Sequence, residues 1–271
     1  MARKTVLCLI VTVLCLTVAA DTARWRMQMP MVPDVADSIR QAVQQRTRLL
    51  KSRQAGQSRE TRTRSDGSIS EVEQMVDDAT NSDDTWCLRT ETGGVRVHTR
   101  SVPGSTFDMV RGSAVLDVEP RAVVKLFEST DEELIRQFNP LYDSGWDLET
   151  IDRVSKVAYA RVRSAFPGIK PRDTVTRVSH HVLGPRGEVF LLQAVEHRAM
   201  PPQRGCVRAQ ILNGINLVQP VPGNQHKTNF TFTQQANLGG IVPAWVANRL
   251  IAREAVQFVQ RIGVVAKTLD K

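Results

Sequence analysis

Histidine, cysteine and serine are the side chains from which catalytic and metal sites are most readily built, and their spacing here builds none. The five histidines, His98, His180, His181, His197 and His226, show no HExxH pattern or other metal-ligating spacing. Of the four cysteines, Cys8 and Cys15 fall in an N-terminal apolar run, while Cys87 and Cys206 stand far apart in the remainder. That is no zinc spacing and it fixes no disulfide, so the latter two are expected as buried thiols. There is no GxSxG elbow and no glycine-rich phosphate loop. Ser179 beside His180 is adjacency along a strand, where successive side chains point to opposite faces, so it does not pair a nucleophile with a base. No catalytic residue, metal or cofactor is expected. The polar side chains that stand out lie on otherwise apolar elements. Tyr159, Arg161 and Arg163 share one face of a strand, with Ala158, Ala160 and Val162 on the other.

The elements that must position such residues end in one long helix, Pro243 to Leu269. Winding it at about 100° per residue gathers Ala247, Ile251, Ala255, Phe258, Val259, Ile262, Val265, Ala266 and Leu269 on one side. Arg249, Arg253, Glu254, Gln257, Gln260, Arg261, Lys267 and Thr268 take the other, and Asn248 falls inside the apolar arc. So wide an arc suits a lid over a large hydrophobic surface. Upstream, a short helix at Ser70 to Ala79 precedes Trp86 to Glu91, a Gly93-Gly94 turn and Val95 to Thr99, a hairpin signature. Thr106 to Val115 reads as a third strand. Pro120 opens one helix, and Thr130 with Glu133 forms a capping-box signature for the next, which ends before Asn139-Pro140. Seven further strands follow, at Trp146 to Ile151, Lys156 to Arg163, Thr174 to Val182, Val189 to Val195, Val207 to Asn213, Ile215 to Val218 and Thr228 to Gln234. Strands, two helices, more strands and one last helix give an α+β fold with a mostly antiparallel sheet. A strongly curved sheet closed by an amphipathic helix can enclose a cavity.

Composition sets the outer limits. A chain of 271 residues with 41% hydrophobic content holds one large domain and an appendage. The formal net charge is +8, but Asp21 to Arg64 holds ten Lys or Arg against four Asp or Glu, so +6 of it sits in front of the domain. The basic signal therefore belongs to the front segment, and no nucleic-acid partner is expected for the folded part. Residues 1–20 have a basic start (Arg3, Lys4), an apolar run and small residues at Val18-Ala19-Ala20, the three parts of a secretory signal peptide. An uncleaved anchor or a compound organelle-targeting leader fits the same residues. Residues 21–69 form a basic segment, partly disordered, and residues 70–271 the globular domain. Asn229-Phe230-Thr231 is a glycosylation sequon set in a strand, where access is poor.

Four stretches in order carry a family resemblance. They are Phe138-Asn139-Pro140; Lys170-Pro171-Arg172-Asp173-Thr174-Val175; Met200-Pro201-Pro202 with Cys206-Val207-Arg208-Ala209; and Leu238 to Trp245 with Asn248 and Leu250. They resemble the successive motifs of the StAR-related lipid-transfer (START) domain over about Val72 to Leu269. The resemblance implies a helix-grip fold, a curved antiparallel sheet wrapped around the C-terminal helix, with a tunnel for one lipid. It implies a mobile loop at Ser164 to Lys170, containing Pro167, that opens together with the helix from Pro243 and Trp245. Arg172 and Asp173 are then a structural clamp on that loop. Head-group candidates are Tyr159, Arg161, Arg163, Arg177, His181 and Asn248, and Ile251, Ala255, Phe258 and Ile262 are candidates for lipid or core contact. If Ala158, Ala160 and Val162 line the tunnel, the arginines instead face solvent.

The chain departs from the family pattern at Thr174, where an aromatic is usual, and at Ile241, where a Trp is usual. Tyr159 falls where sterol carriers place an acid, which disfavours a sterol and leaves a phospholipid or related lipid. The expected activity is transfer of one lipid between membranes by a monomer that touches the membrane transiently. The alternatives are a non-transferring lipid sensor that signals through a partner protein, or an enzyme acting on an apolar substrate.

Overall fold

A computed structural model describes residues 69–81, 83–164, 170–240 and 244–270, for residues 244–249 the backbone alone. The expected signal peptide and nearly all of the basic segment lie outside these residues, as do Pro167 and Pro243.

The chain runs α1 (Ile69–Thr80), β1 (Cys87–Thr92), β2 (Val95–Arg100), β3 (Met109–Leu116), α2 (Pro120–Glu128) and α3 (Glu132–Phe138). It continues through β4 (Tyr142–Thr150), β5 (Ser155–Val162), β6 (Arg172–Val182), β7 (Glu188–Ala194), β8 (Val207–Arg208), β9 (Gln210–Val221), β10 (Asn224–Asn237) and α4 (Ala244–Ala266). The strands form one sheet in the order β1-β2-β3-β10-β9-β7-β6-β5-β4, antiparallel throughout, with short β8 parallel to the start of β6. Gly93 and Gly94 both have positive φ, 57° and 76°, as a two-residue turn twisted with its strands requires.

Two local expectations are corrected. The cap of α3 is Asp131 rather than Thr130: its carboxylate accepts from the backbone N–H of Glu133 at 2.9 Å and of Leu134 at 3.3 Å, the donors a helix leaves open at its start. The two strands expected from Val207 to Val218 are short β8 and one continuous β9. Gly214 does not break β9, because a Cβ there would sit only 3.0 Å from Leu192 and Ile211 atoms; it is a close approach between strands rather than a turn.

Each face of the sheet has its own apolar layer. On the convex face Val72, Val76 and Ala79 of α1 pack with Leu183, Val189, Ile215 and Leu217. Buried Arg111 ties down the end of α1 by donating to the carbonyls of Asn81 at 2.8 Å and Ala79 at 3.4 Å. The Trp86 ring lies against the guanidinium groups of both Arg111 and Arg100, at 4.3 and 4.6 Å from its centroid, a cation–π contact on each.

On the concave face lies the main core. Val95, Val97, Val110 and Ala114 meet Ala255, Phe258, Val259, Ile262 and Val265 of α4. Phe127, Phe190, Phe230, Phe232 and Phe258 form a chain of ring contacts, with centroids 5.2–6.4 Å apart. The Phe232 ring lies over Gly112, where a Cβ would overlap it. Burying each such ring contributes about 1.5–3 kcal/mol.

Burial on α4 extends beyond the apolar arc. Glu254, expected on the solvent side, is buried at 1% exposure, and its carboxylate lies 4.0 Å from Arg261, which donates to Gln257 at 2.6 Å. Among the described residues no helix is long and apolar enough to cross a membrane. Cys87 is an exposed free thiol and Cys206 a half-buried one, against the expectation of two buried thiols; Cys87 sits on β1, an edge strand with an open face.

Candidate functional site

The backbone of α4 runs closest to β2, β3, α2 and α3, where the aromatic side chains fill the interior. The opposite wall, made by β4, β5 and β6, is built differently. Strand pairing sets Asp147 opposite Ala158 and Ala158 opposite Thr176, and in the next row Gly145 opposite Ala160 and Ala160 opposite Thr174. Residues directly opposite in antiparallel strands share a face. Ala158, Ala160 and Val162 belong to the core cluster that includes α4, so this whole set faces inward. Apart from Tyr142, which stands opposite Val162 at one end, this row of the wall is small where its counterpart is aromatic.

Its polar groups are few and dry. Thr174 and Thr176 are fully buried at 0% exposure, and neither hydroxyl has a hydrogen-bond partner among the described residues. Asp147 and Lys156 form an ion pair at 3.1 Å, with side chains only 12% and 16% exposed. Lys156 stands opposite Val178 of the same cluster, so the pair also faces inward. Burial raises the Asp147 carboxyl above its ordinary value in spite of the Lys156 ammonium, and burial lowers the Lys156 ammonium in spite of Asp147. Desolvation therefore outweighs attraction for both partners. One carboxylate oxygen, Asp147 Oδ1, is buried with no hydrogen-bond partner among the described residues. Orphaned polar atoms of this kind are few in folded proteins, and each calls for an explanation.

A START domain match runs over residues 68–269, most of the chain. The chain belongs to the START domain family. Human STARD10 superposes on this START domain with a TM-score of 0.68 at 18% identity, covering 77% of this chain and 83% of that one. Human StAR-related lipid transfer protein 5 gives 0.66 at 21% identity, covering 75% and 96%. These likenesses establish the helix-grip fold. In sequence, the mitochondrial steroidogenic acute regulatory protein of Danio rerio is 28% identical over 134 residues, 48% of this chain and 46% of that protein. The chain thus spans about half the length of such relatives. An uncharacterized protein of Pseudomonas aeruginosa is 26% identical over 175 residues, 61% of this chain and 79% of that one.

The START domain sorts the residues singled out from sequence into three groups. Ala255, Phe258 and Ile262 are buried in the core beneath α4, and Ile251 packs half-buried against it. Tyr159, Arg161, Arg163, Arg177 and His181 alternate with the inward set and lie on the other face. Tyr159 packs with Val157 and Val175 under the Trp146 ring, 4.6 Å away, and burial with the nearby Asp173 pushes its phenol up to about 12. Arg161 pairs with Asp143 at 3.3 Å, and Arg163 donates to the Pro140 carbonyl at 2.9 Å. His181 stands opposite Val189 of the α1 layer, with its ring nitrogen 3.0 Å from the Ser179 hydroxyl; Arg177 stands opposite Val157. Asn248 and Trp245 lie on α4, but their side chains are outside the described residues.

The Arg172-Asp173 motif does not pair within itself. Asp173, fully buried, accepts two hydrogen bonds at 3.0 Å from Arg208 of β8, the bidentate geometry that suits an arginine. Arg172 donates to the carbonyls of Lys170 at 2.7 Å and Leu238 at 3.4 Å. The motif therefore ties the start of β6 to β8 and to the segment before α4. Asp147, Lys156 and Thr176 were not singled out from sequence, and Thr174 only as a departure from the family pattern. The alternation Thr174-Val175-Thr176 in phase with Ala158 and Ala160 was a usable signal for the hydroxyls; the ion pair, set by the register of β4 on β5, left none.

Proposed function

We propose that this START domain carries one lipid between α4 and the β4–β6 wall and moves it between membranes. The observation that carries the reading is that wall: alanine and threonine side chains face inward beside Gly145, with buried unpartnered polar atoms, in a family whose solved relatives are named for lipid transfer. A tail taken from water gains about 0.8 kcal/mol per CH₂, so two acyl chains supply ample affinity if a few polar groups meet the head. The ligand is a phospholipid or related lipid, the carrier works as a monomer with transient membrane contact, and it acts without catalysis. Entry to the secretory pathway rests on residues 1–20 alone.

The test is native mass spectrometry of the full chain after incubation with mixed-lipid vesicles, followed by movement of a labelled lipid from donor to acceptor vesicles at a small molar ratio of protein. Wild type should retain one lipid per chain and accelerate transfer. Retention without transfer would favour a sensor, and a chemically altered lipid an enzyme. Ala158→Trp should fold, by far-ultraviolet circular dichroism, yet stay empty; uptake equal to wild type by that folded variant refutes the placement of the lipid.

A further inference from the structure

The unpartnered atoms on the β4–β6 wall carry information about the head group. We infer that the wall selects lipids whose head group donates hydrogen bonds, through a free hydroxyl or a primary ammonium, and discriminates against choline head groups. The inference rests on the carriage reading above and deepens it.

An ionised carboxylate is an acceptor only. Asp147 uses Oδ2 for Lys156 at 3.1 Å, and Oδ1 is buried without a partner among the described residues. A ligand that offers an O–H or N–H at that point satisfies Oδ1. A trimethylammonium or an ester offers none and leaves a buried anionic oxygen bare, which is worth roughly tenfold in affinity or more. The Thr174 and Thr176 hydroxyls can donate as well as accept, so they suit the ester or phosphate oxygens next to such a head.

The spacing fits one group. Asp147, Ala158 and Thr176 form a single row across three strands, so the acceptor and the hydroxyl stand roughly 10 Å apart across the alanine methyl. Thr174 lies about 7 Å along the strand from Thr176. A head group resting over Ala158 reaches all three. Because Lys156 already compensates Asp147, the wall adds no net charge, and selection falls on donors rather than on ionic sign.

The experiment offers the full chain vesicles containing equal amounts of phosphatidylethanolamine, diacylglycerol, ceramide and phosphatidylcholine, and reads the retained lipid by native mass spectrometry. The expected result is about tenfold enrichment of donor-bearing lipid over phosphatidylcholine. Enrichment of phosphatidylethanolamine assigns the donor to an ammonium, and enrichment of diacylglycerol or ceramide to a hydroxyl. The preference should vanish in the double variant Asp147→Leu with Lys156→Met, which removes the acceptor and its counter-charge together, whereas Thr176→Val, which keeps side-chain shape, should weaken retention of phosphatidylethanolamine and phosphatidylcholine alike. Phosphatidylcholine held as well as the others, or a preference unchanged in the double variant, overturns the inference while leaving carriage intact. A folded chain that holds no lipid of any class overturns carriage, and the inference with it.

Discussion

Removing both charges at once from the Asp147–Lys156 pair should leave the protein at least as stable as wild type, whereas removing either alone should damage it. At 3.1 Å the attraction between unit charges is about 5 kcal/mol at an effective dielectric constant of 20. Against it stands the desolvation of both groups, which wins for each: burial raises the carboxyl and lowers the ammonium although each faces its counter-charge. The pair therefore contributes little net stability, and its attraction is visible only when a partner is lost. Breaking a fully buried pair costs about 3–5 kcal/mol. The 12% and 16% side-chain exposures leave some hydration, so about 2–3 kcal/mol is expected for Asp147→Leu or Lys156→Met. In a domain of this size that lowers the melting midpoint by roughly 5–10 °C. The double variant should lie within about 1 kcal/mol of wild type or above it, because two apolar side chains of similar volume replace two desolvated ions. Urea denaturation at pH 7 on all four proteins gives the coupling energy directly. Additive losses, with the double variant worse than either single, would refute the reasoning and make the pair a net stabiliser.

Two further outcomes follow from buried polar groups elsewhere. Asp173→Asn should cost about 3 kcal/mol by removing the counter-charge and bidentate acceptor of the Arg208 guanidinium, since the carboxylate is fully buried and doubly bonded to it; a loss below about 1 kcal/mol in urea would show the clamp to be dispensable. His98 is held below its ordinary value by burial, then by Arg111 and Arg96. A lowered folded-state value means that the unfolded chain binds the proton more readily, so stability is present above pH 6.5 and is lost as pH falls from there through the folded-state value. His98→Gln should flatten the fall in urea midpoint between pH 7 and pH 5, and an unchanged slope would remove His98 as its source.

Local patterns carried most of the architecture. The Gly93-Gly94 turn, Pro120 at a helix start and the long apolar arc of α4 are short-range signals, and each lies where the periodicity placed it. The alternation in β5 likewise told which residues share a face, with Tyr159, Arg161 and Arg163 against Ala158, Ala160 and Val162. It did not tell which face is inward. Both faces of β5 are apolar enough to be covered, Val157 and Tyr159 by one cluster and the alanines by another, so the pattern is symmetric until the sheet curves around α4. Glu254 reads as a solvent residue for a related reason: a helical wheel knows its own arc but not how much of the helix its neighbours cover.

The candidate site depends on contacts between strands. Asp147 meets Lys156 because a register shift in β4 sets it opposite Ala158, and Asp173 meets Arg208 through the parallel pairing of β6 with β8. The sequence by itself determined the element order, the α+β class, the family and the apolar side of α4, because these follow from the period of the chain and from ordered motifs. Only the tertiary structure decided which strand face looks inward and which polar atoms are left dry there, because curvature and register are properties of strands paired with one another.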